Sequence, residues 1–194
     1  GGYRYRNNRV HVAFREQIAD PENHPFPTHS GKIEIFSPDL YRLGRPEEIP
    51  AIPRHMPCPE GPEDPLTQRY PLQLVGWHTR RRCHSIHDNN QWMDEVEAPA
   101  LWIHPEDAGA RGIGQGDLVE VFNDRGKVRI PALVTERIMR GVTAMSQGGW
   151  YRPDRQGTDT RGSINVLTDG DHPSPLAKGN PQHTNLVEVQ RAGN

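Results

Sequence analysis

The sequence has few cysteines, no long apolar run and no strong excess of charge, and each absence excludes a class of protein. Its two cysteines, Cys58 and Cys83, allow at most one disulfide and say little about the compartment. No apolar run approaches the length of a membrane span, and no signal peptide is visible. The formal net charge of −2 excludes a generally basic nucleic-acid binder. We therefore expect no nucleic-acid partner and no membrane span.

What the chain does have is proline and glycine, 19 of each among 194 residues, and a hydrophobic content of 33%. This composition predicts one domain with a modest core, many loops and an extended arm. The chain begins with Gly1 and Gly2 instead of methionine. We expect it to be a fragment, so that the missing targeting signals say nothing about the parent protein.

The first seventy residues are predicted to form an arm and a covering segment. Residues 1–30 are polar, and the three prolines within Asp20–Gly31 exclude a continuous helix there. Lys32–Ser37, KIEIFS, alternates in polarity and predicts a short strand that buries Ile33 and Ile35. The proline-rich segment from residue 46 to residue 71 predicts a covering loop. The expected division is an arm over residues 1–70 and a β-barrel domain over residues 71–194.

From residue 71 onward, short apolar runs separated by turn residues predict a β-rich domain. PLQLVGWHT predicts a strand with Leu72 and Leu74 on one side. Leu101–His104 predicts a second strand, followed by a short helix that Pro105 opens. GDLVEVFNDRGKVRIPALVT predicts a hairpin around Asn123–Gly126, and GVTAMS and NLVEVQ predict two more strands. Five or six short strands with few helices favour a small β-barrel or a sandwich.

The segment Trp77–Asp88, WHTRRRCHSIHD, concentrates three arginines and three histidines with one cysteine and two hydroxyl groups. A zinc site is disfavoured because Cys83 and His84 are adjacent, and adjacent side chains of a strand point to opposite faces. A nucleophile at Cys83 or Ser85 needs a base that converges in space, and the sequence has no G-x-S-x-G elbow. Two interpretations stay open: a phosphate or cofactor clamp, and a solvated basic loop paired with Asp88, Asp94 or Glu95.

The position of this segment favours the phosphate clamp. It follows directly after an apolar strand and so lies in the loop at that strand's carboxyl end. Its three consecutive arginines, Arg80, Arg81 and Arg82, cannot all be buried, and one or two of them can fork onto phosphate oxygens. The hydroxyl groups of Thr79 and Ser85 can add neutral donors. Which arginine contacts phosphate is not fixed by the sequence.

A second polar region, Gln147–Asn185, lies between two predicted strands. Loops this long in a compact domain are usually functional or disordered. Gly148 and Gly149 allow close approach of another backbone, and Trp150 offers a flat face. Several side chains suit the edge of a heterocyclic base because they carry both donors and acceptors or a carboxylate: Asn165, Thr168, Asp169, Gln182 and Asn185. A glycine-rich surface loop is the alternative. Together the two loops predict a nucleotide-type ligand.

The order of several motifs resembles a known family. Thr28–Ser37, THSGKIEIFS, looks like the T-P-S-G-K-I-E-I-Y-S segment of molybdopterin oxidoreductases, with His29 in place of proline. PLQLVGWHTRRRCHS, IHPEDAGARGIGQGDLVEVFNDRGKV and a GGW…INVLT…N stretch follow in the family's order. Over nearly its whole length the chain resembles the C-terminal molybdopterin-dinucleotide-binding domain of the dimethyl sulfoxide reductase family. Within that family it is most similar to catalytic subunits of membrane-associated bacterial enzymes.

The resemblance implies a mainly β fold, a six-stranded double-psi β-barrel, that binds a molybdenum bis(molybdopterin guanine dinucleotide) cofactor. It implies reduction of sulfoxides or N-oxides by oxygen-atom transfer in anaerobic respiration. The family's molybdenum ligand and its iron–sulfur cysteines belong to N-terminal domains outside this chain. Cys58 and Cys83 do not match the spacing of that cluster. The resemblance therefore gives this chain no catalytic residue and no metal ligand, and the fragment alone is expected not to turn over.

The resemblance also implies where the cofactor is held. Thr79, Arg80, Ser85 and His87 fall on the family's loop after the first strand, and Asn165 falls on a later segment that contacts the cofactor. Neighbours of these positions complete the expected set of cofactor-binding residues, which is His78, Thr79, Arg80, Arg82, His84, Ser85, His87, Trp150, Asn165, Thr168, Gln182 and Asn185.

The implied partners are the N-terminal domains of the same parent chain, an iron–sulfur electron-transfer subunit and a membrane anchor subunit. The implied location is the periplasmic side of the bacterial inner membrane. Two alternatives stay open, a molybdoenzyme domain acting on another oxyanion and a non-enzymatic double-psi barrel serving as a binding or adaptor module. The amide-rich loop discriminates between binding modes, since a peptide-binding barrel does not need it.

Overall fold

The structure is a computed structural model that describes residues 11–181 and 183–193. The chain divides into two compact units, one that ends at His55 and one that begins at Met56. The functional boundary expected between residues 70 and 71 stays a prediction. Among the described residues, no helix combines the length and the apolarity that crossing a membrane requires.

The described residues of the first unit, 11–55, form two short helices, α1 (Arg15–Ala19) and α2 (Pro38–Arg42). Helix α2 begins where the Ser37 hydroxyl accepts the N–H of Leu40, with a proline at the first helical position. The strand predicted over residues 32–37 is wrong, because the segment forms bends and leaves Ile33 and Ile35 76% and 75% exposed. Residues 11–55 contain no strand with which it could pair.

The second unit is a closed β-barrel. Its strands are β1 (Leu72–Trp77), β2 (Leu101–Ile103), β3 (Leu118–Asn123), β4 (Gly126–Val134), β5 (Val142–Ser146) and β6 (Asn185–Arg191). They close in the order β1-β5-β2-β4-β3-β6. Two short helices, α3 (Gln91–Val96) and α4 (Pro105–Gly109), and two 3₁₀ turns, Pro65–Gln68 and Ile164–Val166, lie in the connections. The predicted six-stranded double-psi β-barrel is confirmed.

The strand directions bring several loops to one end of the barrel. Strands β1 and β5 are parallel neighbours, with Trp77 opposite Ser146, so their carboxyl ends lie side by side. The N–H of Gln147 donates to the carbonyl of Trp77 at 2.8 Å. Strand β6 is antiparallel to both β1 and β3, so β6 begins at this end and the β3–β4 turn lies there too. We call this end of the barrel the loop end.

Aliphatic side chains from all six strands fill the barrel. Complete burial of one such side chain contributes about 1.5–3 kcal/mol, so these positions supply most of the stability of the fold. Alternate side chains point into the barrel in β1, in β2 and in the β3–β4 hairpin, as the sequence pattern predicts. Side chains with no more than 2% exposure include Leu72, Leu74, Leu101, Ile103, Val119, Val121, Val128, Met145, Val187 and Val189.

A polar side chain on β3, Glu120, connects β3 to both of its neighbours, β4 and β6. The carboxylate of Glu120 accepts hydrogen bonds from Lys127 at 2.8 Å and Arg129 at 2.7 Å on β4, and from Gln190 at 2.9 Å on β6. The hydrogen bonds from Lys127 and then Arg129 lower the pKa of Glu120 to about 2. Ionised Glu120 therefore stabilises the pairing of three strands.

The Glu120→Gln variant tests this contribution through its pH dependence. Because folding depresses the pKa of Glu120 from 4.5 to about 2, its stabilisation is complete above pH 4.5 and is lost as the pH falls toward 2. We expect the free energy of unfolding of the variant at pH 7 to be about 2 kcal/mol lower than that of the wild type. This value allows for solvent screening at the partly exposed Lys127. Urea unfolding at pH 7, 5 and 3 should show this difference shrinking. Exposed Glu136→Gln is the control, and a difference that stays constant with pH contradicts the assignment.

Candidate functional site

The two polar regions predicted from the sequence, Trp77–Asp88 and Gln147–Asn185, meet at the loop end. Their contact is made by two loops, residues 78–90 and 147–163, which pack backbone against backbone. Gly148 has a φ of +81°, and a Cβ there would lie 2.0 Å from the carbonyl oxygen of His84. At Gly149 a Cβ would lie 2.5 Å from the carbonyl oxygen of Gly162. Gly148 is required because a side chain there would push the two loops apart, whereas Gly149 allows the close approach of Gly162 within the second loop.

Trp150, in the second loop, forms two hydrogen bonds to residues of the first loop. Its backbone N–H donates to a carboxylate oxygen of Asp88 at 2.9 Å, and its indole Nε1 donates to the carbonyl of Ser85 at 2.8 Å. The side chain remains 46% exposed, so its ring presents a flat surface at the loop end.

A largely buried group of opposite charges connects these loops and helix α3, and we call it the ion cluster: Arg81, Arg82, Arg161, Asp88 and Asp94. The Asp88 carboxylate, 1% exposed, accepts from Arg82 and from Arg161 Nε at 3.1 Å. Asp94 accepts from Arg81 at 2.7 Å and from Arg161 at 2.6 Å. Asp88 and Asp94 thus join the loop that follows β1 to the loop that follows β5.

Every nitrogen of the Arg82 guanidinium is bonded inside the protein. Its Nε and Nη2 donate to the carbonyl of Gln147 at 3.1 and 2.6 Å, its Nη2 also donates to the Ser146 hydroxyl at 3.1 Å, and its Nη1 donates to Asp88. The position of Arg82 matches the alternative in which basic residues pair with nearby acids. As a direct cofactor ligand, Arg82 stays an untested prediction.

The hydrogen bonds within the ion cluster keep Asp88 ionised. Burial raises the pKa of Asp88, but the hydrogen bonds from Arg161 and from the N–H of Trp150 outweigh it and leave the pKa below its ordinary value. Burial lowers the pKa of the Arg82 guanidinium, and repulsion from Arg81 acts in the same direction. The hydrogen bonds from Arg161 to Asp94 raise the pKa of Arg161.

Most of the other predicted residues of the first loop are exposed. Arg80, His78, His84, Ser85 and His87 face solvent at the loop end. The rings of His78 and His84 lie 4.9 Å apart, edge to face. His84 and His87 adopt left-handed backbone conformations, with φ of 49° and 72°, which non-glycine residues seldom do. The surrounding structure therefore imposes an unfavourable backbone conformation at His84 and His87, and this conformation sets the direction of their side chains.

Thr79 is the buried exception in this loop. Its hydroxyl donates to Glu97 at 2.6 Å and accepts the N–H of Arg81 at 3.2 Å. The structure therefore places Thr79 beneath the loop, where it fixes the backbone on which Arg80 and Arg81 stand.

The predicted amide-rich residues occupy a second part of the loop end. Asn165 is exposed, and the Thr168 hydroxyl donates to the carbonyl of Ile164 at 3.1 Å. Asn185 is fully buried, where it accepts the N–H of Asp169 at 3.0 Å and donates to the carbonyl of Pro181 at 3.1 Å. Asn185 thus fixes the 169–181 segment. Gln182 lies outside the described residues.

Sequence reasoning missed two residues that build the site. Arg161 bonds Asp88 across 73 positions of sequence, and no local pattern marks it. Glu60 pairs with Arg125 and also accepts the N–H of Leu186 at 2.7 Å. Arg125 in turn donates to the carbonyl of Leu167 at 2.8 Å. Glu60 thereby ties the start of β6 to the turn after β3, although it lies in a proline-rich segment that the sequence marks only as a covering loop.

The donors at the loop end fit an anionic ligand and do not assemble a metal site. Three guanidinium groups oppose two carboxylates in the ion cluster, and Arg80 adds an exposed positive charge. Within the described part of the chain, the buried Arg81 Nη2 and Trp77 Nε1 have no acceptor. In residues 11–181 and 183–193, no three side chains among His, Cys, Asp and Glu converge in a way that could hold a metal ion. Cys83 is exposed and unpaired by disulfide.

Comparison with known proteins decides the family. A family described as "Molydopterin dinucleotide binding domain" matches residues 72–186, more than half of the chain. The chain belongs to the molydopterin dinucleotide binding domain family. The family and the class of cofactor predicted from the sequence are thereby confirmed, and the matched region contains both loops of the loop end.

Curated relatives extend the match of this molydopterin dinucleotide binding domain over nearly the whole chain. The chain is 46% identical to dimethyl sulfoxide reductase DmsA of Escherichia coli K12, over 93% of this chain and 23% of that protein. It is 45% identical to DmsA of Haemophilus influenzae, over 95% of this chain and 23% of that protein. The dimethyl sulfoxide/trimethylamine N-oxide reductase of Rhodobacter capsulatus is 37% identical, over 93% and 22%. The chain thus spans about a quarter of the length of these relatives.

A solved structure supports the fold of the molydopterin dinucleotide binding domain. Acetylene hydratase from Pelobacter acetylenicus superimposes with a TM-score of 0.69 at 18% sequence identity, over 89% of this chain and 25% of that chain. At this identity the likeness concerns the fold alone.

Gly148→Ala and Gly157→Ala form a matched pair that tests the packing of the two loops. Both glycines have positive φ, +81° and +83°, but a Cβ at Gly157 meets no atom within 4 Å. We expect Gly157→Ala to cost about 1–2 kcal/mol of backbone strain. Gly148→Ala should cost more, because the backbone of His84 must also move, and it should raise hydrogen exchange in residues 78–90. Equal losses of unfolding free energy would show that the loops tolerate separation.

Proposed function

We propose that this chain is part of a molybdenum-dependent reductase of sulfoxides or N-oxides and that its loop end holds a bis(molybdopterin guanine dinucleotide) cofactor. The observation that carries the proposal is the convergence of loops 78–90 and 147–163 over a buried ion cluster rich in arginine. The names of the relatives, which are reductases of dimethyl sulfoxide or trimethylamine N-oxide, support this substrate class over other oxyanions. The family match weighs against an adaptor module.

The residues of the chain divide into two roles under this proposal. Those exposed at the loop end donate to the phosphate and pterin groups: His78, Arg80, His84, Ser85 and His87. Trp150, whose indole N–H already donates to Ser85, contributes its exposed ring face. Guanidinium and imidazole N–H groups form strong hydrogen bonds with phosphate oxygens, and their exposure leaves them available. Asn165 and Thr168 supply amide and hydroxyl groups at the neighbouring segment.

Thr79, Arg82 and Asn185 position the loops, since their polar atoms already bond within the protein. Gln182 lies outside the described residues, so its contact with the cofactor stays a prediction from the sequence. When bound, the cofactor supplies two-electron redox chemistry and oxygen-atom transfer at molybdenum, and the chain supplies orientation and electrostatic complementarity.

The remaining parts of the enzyme belong to the proposal as well. The relatives are about four times as long as this chain, which supports a parent chain with further domains. We place the iron–sulfur cluster in those domains. An iron–sulfur electron-transfer subunit and a membrane anchor subunit complete the proposed complex, on the periplasmic side of the inner membrane.

The Arg80→Ala variant of the parent enzyme tests the binding role. Arg80 is exposed, and no described carboxylate pairs with it, so its removal leaves the fold intact while a charge-assisted contact is lost. Such a contact is worth about 1.5–3 kcal/mol. We expect molybdenum and guanine nucleotide per subunit to fall several-fold, measured by metal analysis and by nucleotide release after acid hydrolysis, with an unchanged unfolding midpoint.

Arg140→Ala is the matched control, because Arg140 is an exposed arginine at the opposite end of the barrel, paired with Glu106. It should retain wild-type contents of both components. Unchanged molybdenum in the Arg80 variant would remove the phosphate role from that residue. A wild-type parent enzyme that purifies without molybdenum and guanine nucleotide would overturn the proposed function itself.

A further inference from the structure

The ion cluster has unequal numbers of positive and negative groups. Among the described residues, the carboxylates within ion-pair distance of Arg81, Arg82 and Arg161 are those of Asp88 and Asp94. The side chains of Arg81, Arg82 and Asp88 are 1% exposed, and that of Arg161 is 11% exposed. The Asp94 side chain is 30% exposed, so solvent reaches the cluster at that edge but screens the buried guanidinium groups only weakly. Arginine does not lose its proton to relieve the surplus.

The surplus charge resides on Arg81. Arg82 and Arg161 have hydrogen-bond acceptors for Nε, Nη1 and Nη2. Arg81 donates from Nη1 to Asp94, but its Nη2 lies 4.0 Å from Asp88 and has no acceptor among the described residues. Of the three guanidinium groups, Arg81 is thus the least satisfied.

A carboxylate outside the cluster does not supply the missing charge. Glu97 accepts a hydrogen bond from the Thr79 hydroxyl and reaches the same loop in that way. In the part of the chain that the structure describes, no ion pair joins Glu97 to an arginine. Asp159 is fully buried in the second loop, but its carboxylate accepts backbone N–H groups, including those of Gly162 and Ser163, and no ion pair joins it to a described arginine of the cluster. A buried charge without a paired counter-charge is unfavourable, and an anion bound at the outer face of the loop would lower that cost.

The surplus lies beneath the surface to which a ligand binds. Arg81 is next to exposed Arg80, and its backbone N–H is held by the buried Thr79 hydroxyl. At short range through protein, a charge acts on a bound anion without direct contact. The unsatisfied guanidinium is therefore placed to act through the loop on an anion at its outer face.

We propose that Arg81 gives the ion cluster one surplus positive charge, and that a phosphate group of the bound dinucleotide neutralises it. The inference rests on the proposed function and adds a residue absent from the predicted set. Under this proposal Arg81 is a positioning residue, whose charge raises the affinity of the loop end for phosphate without touching it. Asp94 lowers the same affinity because it offsets part of that charge.

Two substitutions should change affinity in opposite directions. Arg81→Gln removes the surplus charge and keeps a donor for Asp94, so phosphate should bind about tenfold more weakly. Asp94→Asn adds one positive charge to the surplus, so phosphate should bind about tenfold more tightly. Both tenfold values correspond to one unit charge that acts at a distance on the order of 10 Å through protein. A purely structural role for the cluster predicts weaker binding for both variants.

The measurement uses the full parent chain produced without cofactor and titrated with inorganic pyrophosphate. The apparent Kd is taken from the protection of residues 78–90 against hydrogen exchange. Arg140→Gln and Asp117→Asn are the charge-matched controls at the opposite end of the barrel, and the Asp117 side chain is 26% exposed against 30% for Asp94. Neither control should change the Kd.

Opposite shifts support the inference, whereas two shifts of the same sign, or none, overturn it. If Arg81→Gln does not fold, Asp94→Asn decides alone, because tighter binding supports the surplus charge and equal or weaker binding rejects it. Absence of protection in the wild-type chain also overturns the inference. The proposed function still stands in that case if the same parent enzyme purifies with molybdenum and guanine nucleotide.

Discussion

The carboxylate of Asp88 is the interaction on which the rest of the loop end depends. It accepts hydrogen bonds from Arg82, from Arg161 and from the N–H of Trp150, and so joins residues more than sixty positions apart in sequence. Ionisation of a fully buried carboxylate is tolerated only because these donors surround it. Without Asp88, the guanidinium groups of Arg82 and Arg161 would lose a buried partner and the two loops would lose the carboxylate that both of them contact.

The barrel was predictable because local patterns specify it. Alternating apolar residues, the Asn123–Gly126 turn and the proline that opens α4 each act over a few residues, and the structure has strands and a helix at these places. The same alternation misled at Lys32–Ser37. A period of two describes a strand only where a neighbouring strand exists, and residues 11–55 provide none.

The positions of the two polar loops were predictable from the sequence, but the burial and the pairing of their residues were not. The position of each polar loop follows from the strand before it. The burial of Arg82, however, is set by Asp88 and by the Gln147 carbonyl, and Arg161 is 73 residues from Asp88. Long-range pairing of this kind has no signature in composition or spacing, so the sequence could not separate the arginines that support the loop from the one that faces solvent.

The pairing of β1 with β5 and β6 has a consequence for biosynthesis. The first strand of the barrel pairs with the last two strands, 69 residues later for β5 and 111 to 115 residues later for β6. During translation one edge of β1 therefore stays unpaired until β5 has emerged from the ribosome, and the other edge until β6 has emerged. Contacts of such long sequence separation form slowly. The loop after β1 gains its final shape only once the barrel closes, so a nascent chain offers no finished binding surface.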